Sequence, residues 1–168
     1  MSQAVTREDS EKISRACKLI FDDLEDVVSQ MRDFKSPPHI RDDYDVLHMQ
    51  LLFYSATEGE LTSLYVSALQ LKYQVDTRLL RAKETLEDAK MAALEDRGVR
   101  IPNQYQSRVE IDAKLRSKTF EENYDVKIWE SSQLEVKYLI DVIKTYQSEA
   151  SRMRRDVDAR TKLKGLQF

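Results

Sequence analysis

The sequence has little of what most small folds use for turns and covalent staples. It contains one cysteine, three glycines and three prolines in 168 residues, and 34% of its residues are charged. A single cysteine excludes an intrachain disulfide framework and favours a reducing, cytoplasmic compartment. Scarce glycine and proline with abundant charge are more typical of long helices joined by few turns than of a sheet protein. The composition therefore predicts helix.

Long apolar runs are also absent. No stretch of about 18 apolar residues exists, so the sequence predicts no membrane span and no membrane partner. The first 14 residues are polar and lack the apolar centre of a signal peptide. Both observations favour a cytoplasmic protein.

The residue types that most catalytic and metal sites require are scarce. The two histidines, His39 and His48, have no cysteine or histidine partner at a zinc-binding spacing. The glycines stand far apart, at positions 59, 98 and 165, so no glycine-rich phosphate loop is present. No Gly-x-Ser-x-Gly nucleophile motif occurs. We therefore expect no enzymatic activity, no metal and no cofactor.

One long stretch, residues 61–97, contains no proline and has apolar residues at a repeating +3/+4 step, which places them on one face of a helix. A helix of about 36 residues is roughly 54 Å long. Its single apolar stripe needs partner helices. The stripe consists of Leu61, Tyr65, Ala68, Val75, Leu79, Ala82, Leu86, Ala89 and Ala93.

The N-terminal segment, residues 1–36, is predicted to be an acidic amphipathic helix. We expect it to begin near Thr6, with Thr6 and Asp9 as a capping pair. A proline-containing linker, residues 37–43, ends it because proline removes a backbone donor and restricts the preceding residue. Its heptad seam is Ile13, Cys17, Ile20, Leu24, Val27, Met31 and Phe34.

Residues 44–168 are predicted to form a long helical hairpin with a basic turn at residues 97–107. Near Thr57 and Glu60 the pattern allows either a kink with a new capping box or, as we favour, a continuous helix. Residues 108–116 begin with a Ser107–Glu110 capping box but also alternate with a period of two, so a short strand is an alternative.

The last helix is expected over residues 120–164, opened by a second capping signal from Thr119 to Glu122. The predicted fold is all-α: an elongated antiparallel, coiled-coil-like hairpin with an extra N-terminal helix. Because its seams are narrow, we expect an oligomeric bundle or ring. The predicted oligomer seam consists of Leu79, Leu86, Leu139, Ile143, Tyr146, Met153 and Val157.

Charge is segregated along the chain although the net charge is only −3. Residues 71–118 and 149–168 are net basic, whereas the other segments are net acidic. In the basic turn, Tyr105 stands close to Arg97, Arg100 and Arg108, and an aromatic beside cations suits base stacking with phosphate contacts. A solvated mixed-charge helical surface is the plain alternative.

The order of these features resembles the UvsY recombination-mediator proteins of T-even-like phages. The resemblance covers roughly residues 45–165. The first long helix ends in LEDAKMAALEDRGVRIP, a middle segment reads SRVEIDAKLRSKTFEENYDVK, and the closing helix reads LEVKYLIDVIKTYQSEASRMRRDVDARTKL. The family's aromatic-Ser-Gly turn is replaced here by the residues from Leu94 to Gly98.

The resemblance implies a homo-oligomeric ring that binds single-stranded DNA. It also implies a mediator that helps load a recombinase onto strands covered by single-strand-binding protein, in the host cytoplasm for a phage protein. The residues it places at DNA are Lys83, Lys90, Arg97, Arg100, Arg108, Lys114 and Arg116. Such binding should weaken steeply with salt. The alternative function is a structural coiled-coil virion, scaffold or adaptor protein that binds no nucleic acid.

Overall fold

The computed structural model describes residues 3–34, 44–95 and 107–165, and every regular element in these ranges is an α-helix. The prediction of an all-α fold is confirmed. The possible strand at residues 108–116 is helical instead. In chain order the helices are α1 (Gln3–Asp33), α2 (Tyr44–Glu95), α3 (Arg108–Lys118) and α4 (Phe120–Gly165).

The chain divides into two compact units. Unit 1 comprises Met1–Arg15 and Leu71–Glu135, and unit 2 comprises Ala16–Gln70 and Val136–Phe168. The helices α1, α2 and α4 each contribute residues to both units, whereas α3 belongs to unit 1 alone.

The long helix α2 continues without a break through the segment where the sequence allowed a kink. The Thr57 side chain is buried, and its hydroxyl donates to the carbonyl of Phe53 at 2.9 Å. This bond to the preceding turn satisfies the hydroxyl inside a helix. The preference for a continuous helix is therefore confirmed, and no capping box begins at Thr57.

The predicted start of the first helix is wrong. Helix α1 begins at Gln3, so Thr6 lies within it, where its side chain is buried. The Asp9 carboxylate pairs with the guanidinium of Arg78 on α2 instead of capping a helix end. Thr6 is buried and Asp9 pairs with another helix, so neither side chain caps a helix end. A local sequence pattern does not reveal such tertiary roles.

The two other predicted caps have different outcomes. At α3 the box is confirmed: the Glu110 amide donates to the Ser107 hydroxyl at 3.2 Å, and the Ser107 amide donates to the Glu110 carboxylate at 3.1 Å. The Thr119 hydroxyl instead donates to the Leu115 carbonyl at 3.0 Å and accepts from the Asn123 side chain at 2.9 Å. Thr119 is therefore the C-terminal cap of α3. Its side chain bonds to Leu115 and Asn123, which are not the partners of the predicted capping box with Glu122.

Unit 1 has an apolar core crossed by polar contacts between helices. Trp129 of α4 is buried, and the Gln133 side chain donates to Asp76 of α2 at 2.7 Å. Lys83 of α2 faces Glu130 of α4 at 3.5 Å, so residue numbers fall along α2 as they rise along α4. The other buried apolar residues of this unit are Ile13, Val75, Leu79, Leu86, Ala93 and Val126.

Unit 2 contains an aromatic cluster beside its apolar core. The rings of Phe34 and Phe53 stack with centroids 3.8 Å apart, and the Tyr54 ring meets the Phe34 ring edge-on at 6.0 Å. Burial raises the pKa of the Tyr54 hydroxyl. The apolar side chains around this cluster include Leu47, Leu51, Met153 and Val157.

The residues predicted to form an oligomer seam are covered within one chain. Leu79, Leu86, Leu139, Ile143 and Val157 are buried, and Tyr146 and Met153 are half-buried. Their burial needs no second copy, because neighbouring helices of the same chain already remove them from water. Oligomerisation stays a prediction, but these side chains no longer argue for it.

Candidate nucleic-acid interface

The two lysines of α2 that were expected to line a DNA groove have carboxylate partners. The Lys83 ammonium lies 3.5 Å from the Glu130 carboxylate of α4, with both side chains about half exposed. The Lys90 ammonium pairs with Glu87, three residues earlier, at 2.7 Å. Such exposed pairs are weak and compete only modestly with other anions. They nevertheless reduce the positive potential of this face.

Helix α3 carries the remaining described residues of the predicted site. It buries none of its residues, and the side chains of Arg108, Lys114 and Arg116 are all exposed. Arg108 and Arg116 lie on the same face at four-residue steps from Asp112, whereas Lys114 lies on another face. No ion pair is seen for these three cations among the described residues. Helix α3 therefore presents cations in more than one direction.

The structure brings only part of the predicted cluster together. Arg97 and Arg100, with Tyr105, lie outside the described residues. Among the residues that the structure does describe, no contact links the α3 cations to Lys83 or Lys90. Among the described residues, the predicted cations therefore form two separate groups: the exposed ones on α3 and the two paired lysines on α2.

Unit 2 contains a groove that the sequence reading missed. It has a volume of about 540 Å³ and lies between α2 and α4. The ammonium of Lys144 lies over the Tyr65 ring, 5.7 Å from its centroid. Glu58 at the groove pairs through Oε2 with the Arg154 guanidinium at 2.8 Å, while its Oε1 is buried with no hydrogen-bond partner among the described residues. The polar side chains that line it are Glu58, Thr62, Lys144, Gln147, Ser148, Ser151 and Arg155.

A signal for this groove is present in the sequence. Lys144, Ser148, Ser151 and Arg155 follow a +4/+3/+4 step, which places two cations and two hydroxyls on one face of α4. Lys144 is not among the residues that the sequence predicted to contact DNA. Farther along α4, Arg160 pairs with Asp156 at 2.5 Å and Lys162 pairs with Asp158 at 2.6 Å.

The perturbed carboxylates of unit 1 belong to structural contacts. The Arg78 hydrogen bond lowers the pKa of Asp9, and the Lys72 hydrogen bond lowers that of Asp76. No group of three or more His, Cys, Asp or Glu side chains within the described ranges is arranged to hold a metal ion. None of the four helices, as far as they are described, has the length and apolar character to cross a membrane.

Comparison with protein-family models, with curated proteins and with solved structures finds no match to this chain. The assignment of a function therefore depends on the residues themselves and on the resemblance given by the order of sequence features.

Proposed function

We propose that this protein is a non-enzymatic single-stranded DNA-binding recombination mediator that oligomerises and helps load a recombinase onto DNA. The observation that carries the DNA-binding step is helix α3, which contributes nothing to the core yet exposes Arg108, Lys114 and Arg116. The recombinase and the single-strand-binding protein enter the proposal through the resemblance to the UvsY family.

The charge state of α3 explains why it suits a polyanion. Guanidinium and ammonium groups without a carboxylate partner keep their full charge for phosphate oxygens. Their binding releases counterions from the strand, which supplies most of the sequence-independent affinity. Since no residue of α3 is buried, phosphate contacts there require no rearrangement of the core.

The groove of unit 2 is a second place where a phosphate backbone fits. Lys144 and Arg155 supply positive charge, and the hydroxyls of Thr62, Ser148 and Ser151 supply polar contacts. The Tyr65 ring is covered by Lys144, so in this arrangement the groove offers phosphate contacts and not base stacking. A groove of this kind follows the backbone without reading sequence.

The hairpin and the assembly belong to the same proposal. In unit 2, Tyr65 of α2 meets Lys144 of α4 and Glu58 meets Arg154, so residue numbers run in opposite directions. This order supports an antiparallel α2–α4 hairpin. A ring of such chains would multiply weak phosphate contacts by avidity, which offsets the acidic net charge of each chain.

Fluorescence anisotropy of a labelled oligo-dT strand, titrated with the protein at low and high salt, tests DNA binding. The variant replaces Arg108, Lys114 and Arg116 with Gln. We expect weaker binding and a salt slope reduced by roughly 2, because each lost phosphate contact removes about 0.7 from the slope. Light scattering on the same sample reports the assembly.

The matched control replaces three paired cations, Lys83, Lys90 and Lys162, with Gln. This control removes the same total charge as the α3 variant. If the DNA site is on α3, the control should change the affinity and the salt slope clearly less than the α3 variant does. Equal effects of the two triple variants would contradict the α3 site. Absence of binding by the parent protein at low salt would reject DNA binding altogether.

Exposed apolar residues favour the second candidate function, a structural coiled-coil, scaffold or adaptor protein. On α2, Tyr73 and Leu80 of unit 1 are seven residues apart and are 74% and 59% exposed. Seven-residue spacing places them on one face, as in a coiled-coil contact. A defined oligomer that does not bind the strand, and that weakens on Leu80→Ser, would favour this function.

A further inference from the structure

Unit 1 contains a cleft of about 180 Å³ that none of the foregoing functions uses. Helix α4 forms one wall of the cleft with three side chains at a +3/+4 step, which places them on one face. Helix α2 supplies two arginines, and α1 supplies one carboxylate. The residues that matter for its chemistry are Asp9, Arg78, Arg81, Glu122, Asp125 and Trp129.

Two carboxylate oxygens of this cleft are buried without a partner. Glu122 Oε2 and Asp125 Oδ1 accept no hydrogen bond from any residue that the structure describes. Leaving such an oxygen out of water without a donor is costly, especially on a group that is ionised at neutral pH. A ligand with N–H donors would remove this cost at both oxygens.

The two arginines of the cleft form no hydrogen bond with these unpartnered oxygens of Glu122 and Asp125 among the described residues. The Arg78 guanidinium pairs with Asp9 and lies over the Trp129 ring, 5.1 Å from its centroid. Arg81 is exposed, and no ion pair is seen for it among the described residues. Asp9 is engaged by Arg78 and also by Lys12 at 3.3 Å, and Lys12 is shared with Glu8 at 2.9 Å. With Asp9 paired in this way, Glu122 and Asp125 exceed the one remaining guanidinium of the cleft, that of Arg81, by one negative charge.

We propose that this cleft binds a monovalent organic cation with N–H donors, a guanidinium or a primary ammonium, held by Glu122 and Asp125. One positive charge balances the excess, and N–H groups suit both unpartnered oxygens. The Ala82 and Trp129 side chains give the cleft apolar surface for a short alkyl stem. The cation is either a small molecule or the side chain of an arginine or lysine in another protein.

The protein carries its own reporter for this test, because Trp129 is its only tryptophan and lines the cleft. The full chain is titrated with butylguanidinium chloride at constant ionic strength while Trp129 emission is recorded. Butylurea, a neutral compound of nearly the same shape, is the matched ligand control. We expect a saturable change with the cation and none with butylurea.

The variant Glu122→Gln with Asp125→Asn removes both acceptor charges but keeps side-chain size. We expect at least about tenfold weaker binding, since hydrogen bonds to charged groups are stronger than those to neutral ones. Glu121→Gln, an exposed neighbour, is the matched control and should bind as the parent does. The two single variants keep the test decisive if the double variant does not fold.

Titration with a peptide, acetyl-Gly-Arg-Gly-amide, distinguishes a small-molecule cation from the side chain of another protein. Binding of the peptide at least as tightly as butylguanidinium supports a protein side chain as the ligand. Binding of the free cation alone supports a small molecule. The proposal is overturned by no saturable emission change with either cation, by equal binding of butylurea, or by equal losses in Glu121→Gln and the double variant.

Discussion

The clefts of the two units share an architecture but differ in charge. In unit 1 the Arg78 guanidinium of α2 lies over the Trp129 ring of α4, and in unit 2 the Lys144 ammonium of α4 lies over the Tyr65 ring of α2. In unit 1, Asp9 engages the arginine, and two other carboxylate oxygens stay unpartnered. In unit 2, Arg154 engages Glu58, and the cations Lys144 and Arg155 stay at the groove.

This difference shows that local pairing decides what a helical surface can bind. Both clefts contain acidic and basic residues, and neither sign follows from the net charge of the chain. In unit 1 an ion pair engages Arg78 but leaves Arg81, Glu122 and Asp125 at the cleft, and in unit 2 an ion pair engages one oxygen of Glu58 but leaves Lys144 and Arg155 at the groove. Unit 1 is left suited to a cation and unit 2 to an anion.

The largest expected difference between the clefts lies in their aromatic rings. Trp129→Ala should lower the free energy of unfolding by about 3–5 kcal/mol, because the ring is buried and its loss leaves a cavity. Tyr65→Ala should cost roughly half as much, since Tyr65 is only half-buried. Urea unfolding followed by far-UV circular dichroism measures both. Equal costs would show that the two rings have equivalent structural roles.

Removing the cation above each ring should also cost more stability in unit 1 than in unit 2. Arg78→Met should destabilise the protein by about 1 kcal/mol, because Asp9 loses one of its two cationic partners and the Trp129 ring loses its cation. Lys144→Met should cost about 0.5 kcal/mol or less, since only an exposed cation–ring contact is lost. The same urea experiment provides the comparison. A larger loss for Lys144→Met would reverse the expected order.

A change beside the unit 2 groove should stabilise the protein. Gly59 lies inside α2, and no atom lies within 4 Å of the position that a Cβ would take. Gly59→Ala should therefore raise the free energy of unfolding by roughly 0.5–1 kcal/mol through helix propensity. Thermal unfolding measures it, with Ala68→Gly, at a buried position of the same helix, expected to act in the opposite direction.

The smallest effect concerns the acid response of unit 1. Arg78 holds the pKa of Asp9 below its ordinary value of 3.8. Because the folded pKa is the lower one, the stabilisation is present above about pH 4 and is lost as the pH falls through the folded value. Asp9→Asn should remove less than about 1 kcal/mol near neutral pH and flatten the loss of stability at acid pH.

Thermal unfolding over a series of buffers from neutral to acid measures this slope. Asp23→Asn, an exposed carboxylate on the same helix, controls for the change in net charge. An unchanged slope in Asp9→Asn would mean that the Asp9–Arg78 pair contributes nothing to folding.

Much of the fold was predictable from the sequence by itself. The +3/+4 apolar spacing identified the buried face of each long helix, because a helix turns by a constant angle per residue and only one stripe can face its neighbours. Leu61 and Val75, both taken from that spacing, are fully buried, as is Ile143 of the predicted oligomer seam. The Ser107–Glu110 box also located the start of α3, since both of its hydrogen bonds are local.

The tertiary structure alone decided which polar side chains pair and which do not. Asp9 looked like a helix cap but pairs with Arg78, 69 residues away, and Lys83 looked like a free phosphate contact but faces Glu130. The sequence marked Glu122 only as part of a capping signal in the acidic first turn of the last helix, and it did not mark Asp125 at all. Helical periodicity determines the direction of a side chain on its own helix. Its partner depends on the register between helices, which one chain's local spacing does not contain.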